Sequence, residues 1–274
     1  MNSEDSVRCA GRTELRGAFD AAAADFTALG RHLWEPIGAV AVSMACLQPG
    51  ERVLDACCGT GASAIPAARL VGRRGLVDAV DLSEPMIGEL WWLSKDLPQL
   101  RAHRADVTSW TAGGYDVVQS ALGISCFPDM AAGTEHLISL ARPGGRAVLT
   151  IWRDGAMLAA GRHLRRAITE ATGVPPPQSR EPRPVERINQ VDSYVAWLRE
   201  RGLVDVEVAV NRLALTMTPE VAWLVIAGSG FRGALAKVPA HALDAVREFY
   251  LASLRDEGMA ELDATTLIGS GRRC

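Results

Sequence analysis

The stretch VLDACCGTG, residues 53–61, decides how this 274-residue chain folds. Its apolar start predicts a buried strand that delivers an acidic residue, Asp55, to a turn with the pattern Gly-x-Gly, at Gly59 and Gly61. Glycines let a backbone approach a ligand closely because no Cβ atom intervenes. A helix that begins after such a turn offers free backbone N–H groups to a ligand carboxylate. The stretch therefore predicts a strand, a turn and a helix around a small-molecule site.

Short apolar runs alternate with helical stretches on both sides of this turn. Such alternation is typical of strand–helix–strand units and of a parallel sheet whose right-handed crossovers place helices on both faces. The predicted strands are residues 52–56, 76–81, 100–104, 115–121 and 146–152, and the predicted helices between them are residues 62–71, 84–95 and 130–141.

The outer parts of the chain are predicted to be mainly helical. In chain order they comprise helices 14–30, 36–47 and 156–171, a proline-rich connection 172–187, helix 192–201, strand 203–215, helices 218–233 and 240–257, and a last strand 265–271. We expect a single domain of four parts: an N-terminal helical cover 1–50, a ligand-binding core 51–152, helices and the proline-rich connection 153–202, and the last two strands 203–274 with the helical insertion 218–257.

The composition argues against several classes of protein. Hydrophobic residues make up 48% and charged residues 22% of the chain, as in ordinary globular domains. The formal net charge of −3 provides no excess of cations for a phosphate backbone, so no nucleic-acid partner is expected. The acidic start lacks the features of a signal peptide, and the longest nearly apolar stretch, 37–47, is too short to span a bilayer. We therefore expect a cytoplasmic protein with no membrane span.

Two kinds of nucleotide ligand fit the glycine turn. Residues 59–64 match the dinucleotide pattern G-x-G-x-x-A, which suggests a nicotinamide-dependent oxidoreductase. However, Asp55 ends the predicted strand, and a carboxylate aimed at the turn would repel a pyrophosphate while suiting an ammonium group. Asp81, twenty residues after Gly61, is placed to accept hydrogen bonds from ribose hydroxyls, which NAD and other adenosine ligands share. Asp106 follows the third strand, where it can accept from an adenine amino group.

With these residues in place, the chain resembles the class I S-adenosylmethionine-dependent methyltransferases. It is most similar to the methyltransferase type 11 group, which includes ubiquinone/menaquinone C-methyltransferase-like proteins and many small-molecule tailoring enzymes. The motifs that carry the resemblance are VLDACCGTG (53–61), DAVDLSEPM (78–86), RADV (104–107), YDVVQSALGISCFPDM (115–130) and ARPGGRAVLTIW (141–152), with a weaker match at ELDATTLIGSGRR (261–273).

The resemblance implies an α/β, Rossmann-like sheet of seven strands in the order 3-2-1-4-5-7-6, with the last strand antiparallel. S-Adenosylmethionine would lie across the carboxyl ends of the strands, with Asp55 near its amino group, Asp81 at the ribose and Asp106 at the adenine amine. The complete set of cofactor-binding candidates is Asp55, Cys57, Gly59, Thr60, Gly61, Asp81, Leu82, Met86, Asp106, Val107, Ser120 and Leu122.

Departures from related families narrow the chemistry. The fourth strand ends without the acidic residue that metal-dependent catechol-type methyltransferases place there, so no metal is expected. The motifs of DNA-methylating enzymes are also missing, since the chain has neither an (Asn/Asp)-Pro-Pro-(Tyr/Phe) sequence nor a Pro-Cys pair. The six cysteines form no C-x-x-C pair and are expected to be reduced. These exclusions leave a small organic molecule as the expected methyl acceptor.

The acceptor site is expected on the N-terminal cover and just beyond the strand ends. The substrate candidates are Phe26, Trp34, Phe127, Trp152 and Arg153, and His32 is the candidate general base. Ala, Gly and Arg are abundant, which suggests a GC-rich genome. This composition and the family resemblance favour a role in natural-product tailoring. One alternative keeps the cofactor but catalyses a cyclisation or rearrangement without net methyl transfer. A homodimer through an exposed Trp92 is a further alternative for the assembly.

Overall fold

A computed structural model describes residues 17–177 and 182–274 of the chain. The described residues divide into two compact units. The helical unit takes its residues from Met1–Leu33, Gly155–Pro182 and Arg212–Ala264, and the sheet unit comprises Trp34–Asp154, Arg183–Asn211 and Thr265–Cys274. The prediction of a single domain with four parts stays a prediction.

The strands of the described residues are numbered in chain order. They are β1 (Arg52–Ala56), β2 (Leu76–Asp81), β3 (Leu100–Arg104), β4 (Tyr115–Ala121), β5 (Ala141–Trp152), β6 (Leu203–Asn211), β7 (Ala214–Thr216), β8 (Glu261–Asp263) and β9 (Thr266–Arg273). All except β7 and β8 belong to the sheet unit, whereas β7 and β8 pair antiparallel in the helical unit.

The α-helices of the described residues are numbered in the same way. They are α1 (residues 17–29), α2 (Trp34–Met44), α3 (Ala64–Val71), α4 (Glu84–Leu93), α5 (Met130–Ser139), α6 (Leu158–Thr172), α7 (Val191–Glu200), α8 (Pro219–Ala227), α9 (Arg232–Leu235) and α10 (Leu243–Asp256). Among these described helices, none is long and apolar enough to cross a membrane.

The seven-stranded sheet has the predicted order. Its strands run β3-β2-β1-β4-β5-β9-β6, with β9 in the place of the predicted seventh strand. Neighbours among β1 to β5 pair in parallel, and β9 runs antiparallel to both β5 and β6. The predicted α/β, Rossmann-like fold is therefore confirmed. The strand order changes direction between β1 and β4, and a ligand of such a sheet binds beyond the carboxyl ends of the strands at that point.

Successive residues of β1 enter different core clusters. Val53 packs with Val77 and Val117, whereas Leu54 and Ala56 belong to a second cluster that includes residues of α5 and α7. Side chains of a strand alternate between the two faces of a sheet, so both faces of the sheet are covered. This packing leaves the ends of the strands as the parts of the sheet that a small molecule can reach.

Some element boundaries differ from the sequence-based expectation. The alternating stretch 203–215 is two strands, β6 and β7, which lie in different sheets, and the short strand β8 was not predicted. Alternation identifies the buried face of a strand, but it does not identify the strand with which it pairs. Helix 218–233 is interrupted between α8 and α9, and β5 begins earlier than expected, at Ala141. Residues 14–16 of the first predicted helix and residues 178–181 of the proline-rich connection lie outside the described residues.

Candidate functional site

The three predicted cofactor-binding acids lie at the carboxyl ends of neighbouring strands. Asp55 lies in β1, Asp81 ends β2 and Asp106 follows β3. Burial raises the pKa of the Cys57 thiol well above its usual value, and the charges of all three carboxylates raise it further. Cys57, which follows β1, therefore lies within the electrostatic influence of all three acids.

The glycine turn is held by the acid of the neighbouring strand. The backbone N–H of Gly59 donates to Asp81 Oδ2 at 2.9 Å, and the N–H of Ser83 donates to Asp81 Oδ1 at 2.9 Å. Gly59 and Gly61 have φ angles of 52° and 97°, which glycine adopts without a steric penalty. Asp81 is half-buried, and a carboxylate oxygen can accept more than one hydrogen bond. It can thus anchor the turn and still accept from ligand hydroxyls.

Asp106 has a similar local role after β3. Its Oδ1 accepts from the backbone N–H of Thr108 at 2.9 Å and from the Thr108 hydroxyl at 2.6 Å, which caps the short 3-10 helix Val107–Ser109. Val107 is buried beside it, whereas Asp106 itself is half-buried. The structure therefore keeps this carboxylate at the surface of the site with a fixed orientation.

Asp55 differs from the other two acids because it is fully buried. Its Oδ2 accepts from Gln119 Nε2 at 2.8 Å, while its Oδ1 has no hydrogen-bond partner among the described residues. Burial raises the pKa of Asp55 to about 6; the Ser63 and Gln119 side chains act in the opposite direction, and the Asp81 charge adds to the increase. Because this carboxylate is fully buried, direct contact between it and a ligand amino group remains a proposal.

We predict that Asp55 makes the stability of the protein depend on pH. Its pKa of about 6 exceeds the unfolded value of 3.8, so the folded state binds more protons between these values. Stability is therefore expected to fall as the pH rises from about 4 to about 6 and to level off above that. A shift of about two units corresponds to roughly 3 kcal/mol in the free energy of unfolding.

Urea denaturation of the wild type and of Asp55→Asn at several pH values tests this prediction. The free energy of unfolding of the variant, relative to the wild type, should increase by roughly 3 kcal/mol between pH 4 and pH 7. Because the comparison uses the change with pH, any constant effect of the substitution cancels. A difference that does not vary with pH would contradict the prediction.

The segment after β4 closes one side of the site. The Ser120 hydroxyl donates to the Ala56 carbonyl oxygen at 2.9 Å, and Leu122 adopts a left-handed conformation with a φ angle of 65°. A Cβ atom at Gly123 would lie 2.4 Å from the Cβ of Cys57, so only glycine fits there. Burial also raises the pKa of the Cys58 and Cys126 thiols, which keeps them neutral.

The remaining predicted cofactor residues differ in exposure. Thr60 and Met86 are buried, whereas Leu82 is exposed over 36% of its surface and can contact a ligand. Met86 belongs to the first turn of α4, which Ser83 caps by accepting from the Met86 N–H at 3.4 Å. Met86 therefore supports the site from beneath.

The predicted substrate residues fall into both units. In the sheet unit, the rings of Trp34 and Trp152 lie 6.4 Å apart, and Arg153 is exposed just after β5. Phe127 is 8% exposed and packs against Gly133 of α5, as a core residue does. In the helical unit, Phe26 forms an edge-to-face contact with Phe19 at 6.4 Å.

His32, the predicted base, lies in the turn after α1, in the helical unit. Its Nε2 accepts from Arg31 Nε at 2.9 Å, so that nitrogen already has a donor partner. Its role as a base stays a prediction.

Gln119 and Ser83 are site residues that the sequence reasoning did not assign. In the sequence Gln119 is only a non-acidic residue near the end of β4, whereas in the structure it donates to Asp55 on the neighbouring strand β1. The parallel pairing that sets Asp55 opposite Gln119 depends on strand register, which the sequence does not display. Ser83 could have been noticed, because serine before Glu84-Pro85 is a usual helix start.

The chemistry of this site suits S-adenosylmethionine better than a dinucleotide. Three carboxylates at the strand ends attract the sulfonium and ammonium groups of S-adenosylmethionine and accept from its hydroxyls and adenine amine. The same charges would repel a pyrophosphate. The residues present therefore fit the cofactor that the family resemblance implies. In the part of the chain that the structure describes, no group of three or more His, Cys, Asp or Glu side chains could hold a metal ion.

Comparison with known proteins agrees with this interpretation. Residues 53–145 match the family model of a methyltransferase domain. The chain is 32% identical over 136 residues to nocamycin O-methyltransferase of Saccharothrix syringae, covering 48% of this chain and 49% of that protein. It is 28% identical over 153 residues to aklanonic acid methyltransferase of Streptomyces sp. (strain C5), covering 53% and 68% respectively. The match to the nocamycin enzyme thus spans about half of that protein.

Solved structures show the same fold. The YcgJ protein of Bacillus subtilis aligns with a TM-score of 0.56 at 15% identity, covering 86% of this chain and 97% of that one. Together with the family match, the sheet order identifies residues 53–145 as a methyltransferase domain of the class I S-adenosylmethionine-dependent type. The resemblance to the class I S-adenosylmethionine-dependent methyltransferases is thereby confirmed, and the family match supports S-adenosylmethionine as the cofactor.

Proposed function

We propose that the protein transfers the methyl group of S-adenosylmethionine to a small organic acceptor in natural-product tailoring. The observation that carries the proposal is the placement of Asp55, Asp81 and Asp106 at the carboxyl ends of β1, β2 and β3, with the Gly59 N–H of the glycine turn donating to Asp81. The bound cofactor would supply an activated methyl group on a sulfonium. The names of the two relatives, enzymes for nocamycin and aklanonic acid, support an acceptor of the natural-product class.

The residues of the chain would act mainly by binding and orientation. Asp81 and Asp106 would hold the ribose and the adenine amine, while the buried Asp55 would add negative potential beneath the turn. Transfer is an in-line displacement in which the acceptor lone pair forms the new bond to carbon while the carbon–sulfur bond breaks toward sulfur. Placement of the acceptor and exclusion of water are therefore the main requirements.

We propose that the tryptophan pair contributes to the acceptor site. Trp152 ends β5 at the carboxyl edge of the sheet, and Trp34 begins α2, with both rings half-buried and 6.4 Å apart. Indole rings provide large, stiff apolar surfaces that favour a planar, conjugated acceptor. Arg153 beside them could bind an acidic group of that acceptor.

Thermal unfolding with and without S-adenosylhomocysteine tests the cofactor assignment, with NADH as the control. Ligand at about 100 times its dissociation constant should add roughly 2.7 kcal/mol to stability and raise the midpoint by a few degrees. A shift with NADH alone would overturn the proposal. Incubation with S-adenosylmethionine and a planar, conjugated acceptor should then release S-adenosylhomocysteine. Conversion of the acceptor without that release would instead support the cyclisation or rearrangement alternative.

Other predictions from the sequence remain open. They are the cytoplasmic location, the independence from metal, the absence of a nucleic-acid partner and the homodimer. Trp92 is 63% exposed, and neighbouring Trp91 is 71% exposed, so the surface on which a dimer would depend is available. Size measurements in solution at several protein concentrations would test that alternative.

A further inference from the structure

A cavity lies in the sheet unit, away from the cofactor site. It has a volume of about 350 Å³ and is lined by Arg73, Gly75, Leu76, Pro98, Gln99 and Arg101. Leu76 begins β2 and Gln99 precedes β3, so the cavity opens at the amino ends of these strands. The acids of the cofactor site lie at the opposite ends, roughly 16 Å away at about 3.3 Å per strand residue. A ligand in this cavity would therefore not touch the cofactor.

The cavity has an excess of positive charge. Its lining includes two arginines and no carboxylate. Neither Arg73 nor Arg101 makes an ion pair or a side-chain hydrogen bond with any residue in the ranges 17–177 and 182–274. Glu51, whose backbone oxygen accepts from the Leu76 N–H, has its carboxylate engaged by Arg146 at 2.7 Å. Both guanidinium groups are thus free to bind an oxyanion, which they match with paired N–H donors.

Gln99 adds a feature that exposed arginines alone do not provide. It is 8% exposed, and its Nε2 donates to the Ala68 carbonyl oxygen at 2.8 Å. Because only the amide nitrogen can donate to a carbonyl, this bond fixes the orientation of the amide. Its Oε1 is buried and has no hydrogen-bond partner among the described residues. A buried acceptor without a donor is unfavourable, so a ligand whose donor reaches Oε1 through a small movement of the cavity lining would remove that penalty.

We propose that this cavity binds a phosphoryl group that carries a hydrogen-bond donor. Arg73 and Arg101 bind the anionic oxygens, and Gln99 Oε1 accepts from the P–OH group or from a hydroxyl next to the phosphate. Inorganic phosphate retains a P–OH group at neutral pH, whereas sulfate has none. The cavity therefore selects phosphate over sulfate. Its volume equals that of roughly ten water molecules, which leaves room for a small phosphomonoester.

Calorimetric titration of the full chain, at constant ionic strength, tests the proposal. The probes are inorganic phosphate, sulfate and glycerol 3-phosphate. We expect phosphate to bind at least tenfold more tightly than sulfate. Tighter binding of glycerol 3-phosphate than of phosphate would identify the ligand as a phosphomonoester, and the reverse order would identify the free anion. No saturable binding of either phosphate probe, or equal binding of sulfate, would overturn the proposal.

Two substitutions and one control connect the binding to the lining residues. Arg73→Ala and Arg101→Ala should each weaken phosphate binding at least tenfold. Arg74→Ala is the matched control, because Arg74 is exposed beside Arg73 but does not line the cavity, and its effect should stay below twofold. An equal loss in Arg74→Ala would show that only the general positive charge matters and would contradict the proposal.

Gln99→Met tests the donor requirement. The substitution keeps the approximate volume and removes the acceptor, so the preference for phosphate over sulfate should fall toward unity. This ratio does not depend on the stability lost with the bond to Ala68. All variants should bind S-adenosylhomocysteine as the wild type does, which separates a failure of this site from a failure of the proposed methyl transfer. An unchanged phosphate preference in Gln99→Met would overturn the role of Gln99.

Discussion

Replacing Asp81 with Asn is expected to lower the affinity for S-adenosylhomocysteine about 100-fold, or roughly 2.7 kcal/mol. Hydrogen bonds to a charged group contribute about 1.5–3 kcal/mol each, and the ribose offers two hydroxyls. Asp81 also accepts from the N–H groups of Gly59 and Ser83, and an amide oxygen can replace only one of its two oxygens. The substitution thus weakens both the ligand contact and the anchor of the glycine turn.

Isothermal titration with S-adenosylhomocysteine measures this effect. Asp96→Asn provides the matched control, because it removes the same charge from an exposed position after α4. Its affinity should remain within about twofold of the wild type, since an exposed charge outside the site is screened by salt. Wild-type affinity in Asp81→Asn, with a native unfolding transition, would contradict the placement of the ribose at β2.

Replacing Gly38 with Leu is expected to reduce the free energy of unfolding by about 4 kcal/mol. Gly38 belongs to α2, and a Cβ atom there would lie 2.4 Å from the carbonyl oxygen of Ala62 and 2.6 Å from its carbonyl carbon. These are backbone atoms at the end of the glycine turn, so they cannot rotate aside as a flexible side chain can. The helix must shift away, and the affinity for S-adenosylhomocysteine should fall with the stability.

Gly88→Leu in α4 is the matched control for this effect. Gly88 is exposed, and a Cβ atom there would meet nothing within 4 Å. Leucine favours a helix over glycine by roughly 0.5–1 kcal/mol, so this variant should equal or exceed the wild type in stability. Urea denaturation of both variants gives the comparison. A Gly38→Leu protein as stable as Gly88→Leu would show that α2 does not pack closely on the turn.

The ligand-binding core, residues 51–152, could be predicted well from the sequence because the patterns that specify its strands, turn and helices are local. The strand, turn and helix around residues 53–61 depend on apolar runs and glycines that are adjacent in the chain. Once the family resemblance supplied the strand order, Asp55, Asp81 and Asp106 could be assigned to one edge of the sheet. The structure confirms that order and brings these three residues together.

The stretch 203–215 shows where local signals are insufficient. Its alternation predicts one strand, but the chain leaves the sheet after Asn211 and pairs Ala214–Thr216 with β8 instead. Pairing partners lie far apart in the sequence, since β8 begins at Glu261. The contact of Phe127 with Gly133 is likewise one that local signals do not display, and the predicted substrate role of Phe127 stays a prediction.

By itself the sequence determined the class of fold, the glycine turn and the acids that follow the parallel strands. These features depend on residue type and on spacing along one segment, which physical chemistry constrains locally. Only the tertiary structure decided that Gln119 donates to a buried Asp55, that Gly38 must stay small beneath the turn, and that Gln99 leaves an acceptor unpaired beside two free arginines. Each of these depends on contacts between distant segments, where burial and register determine what a side chain can do.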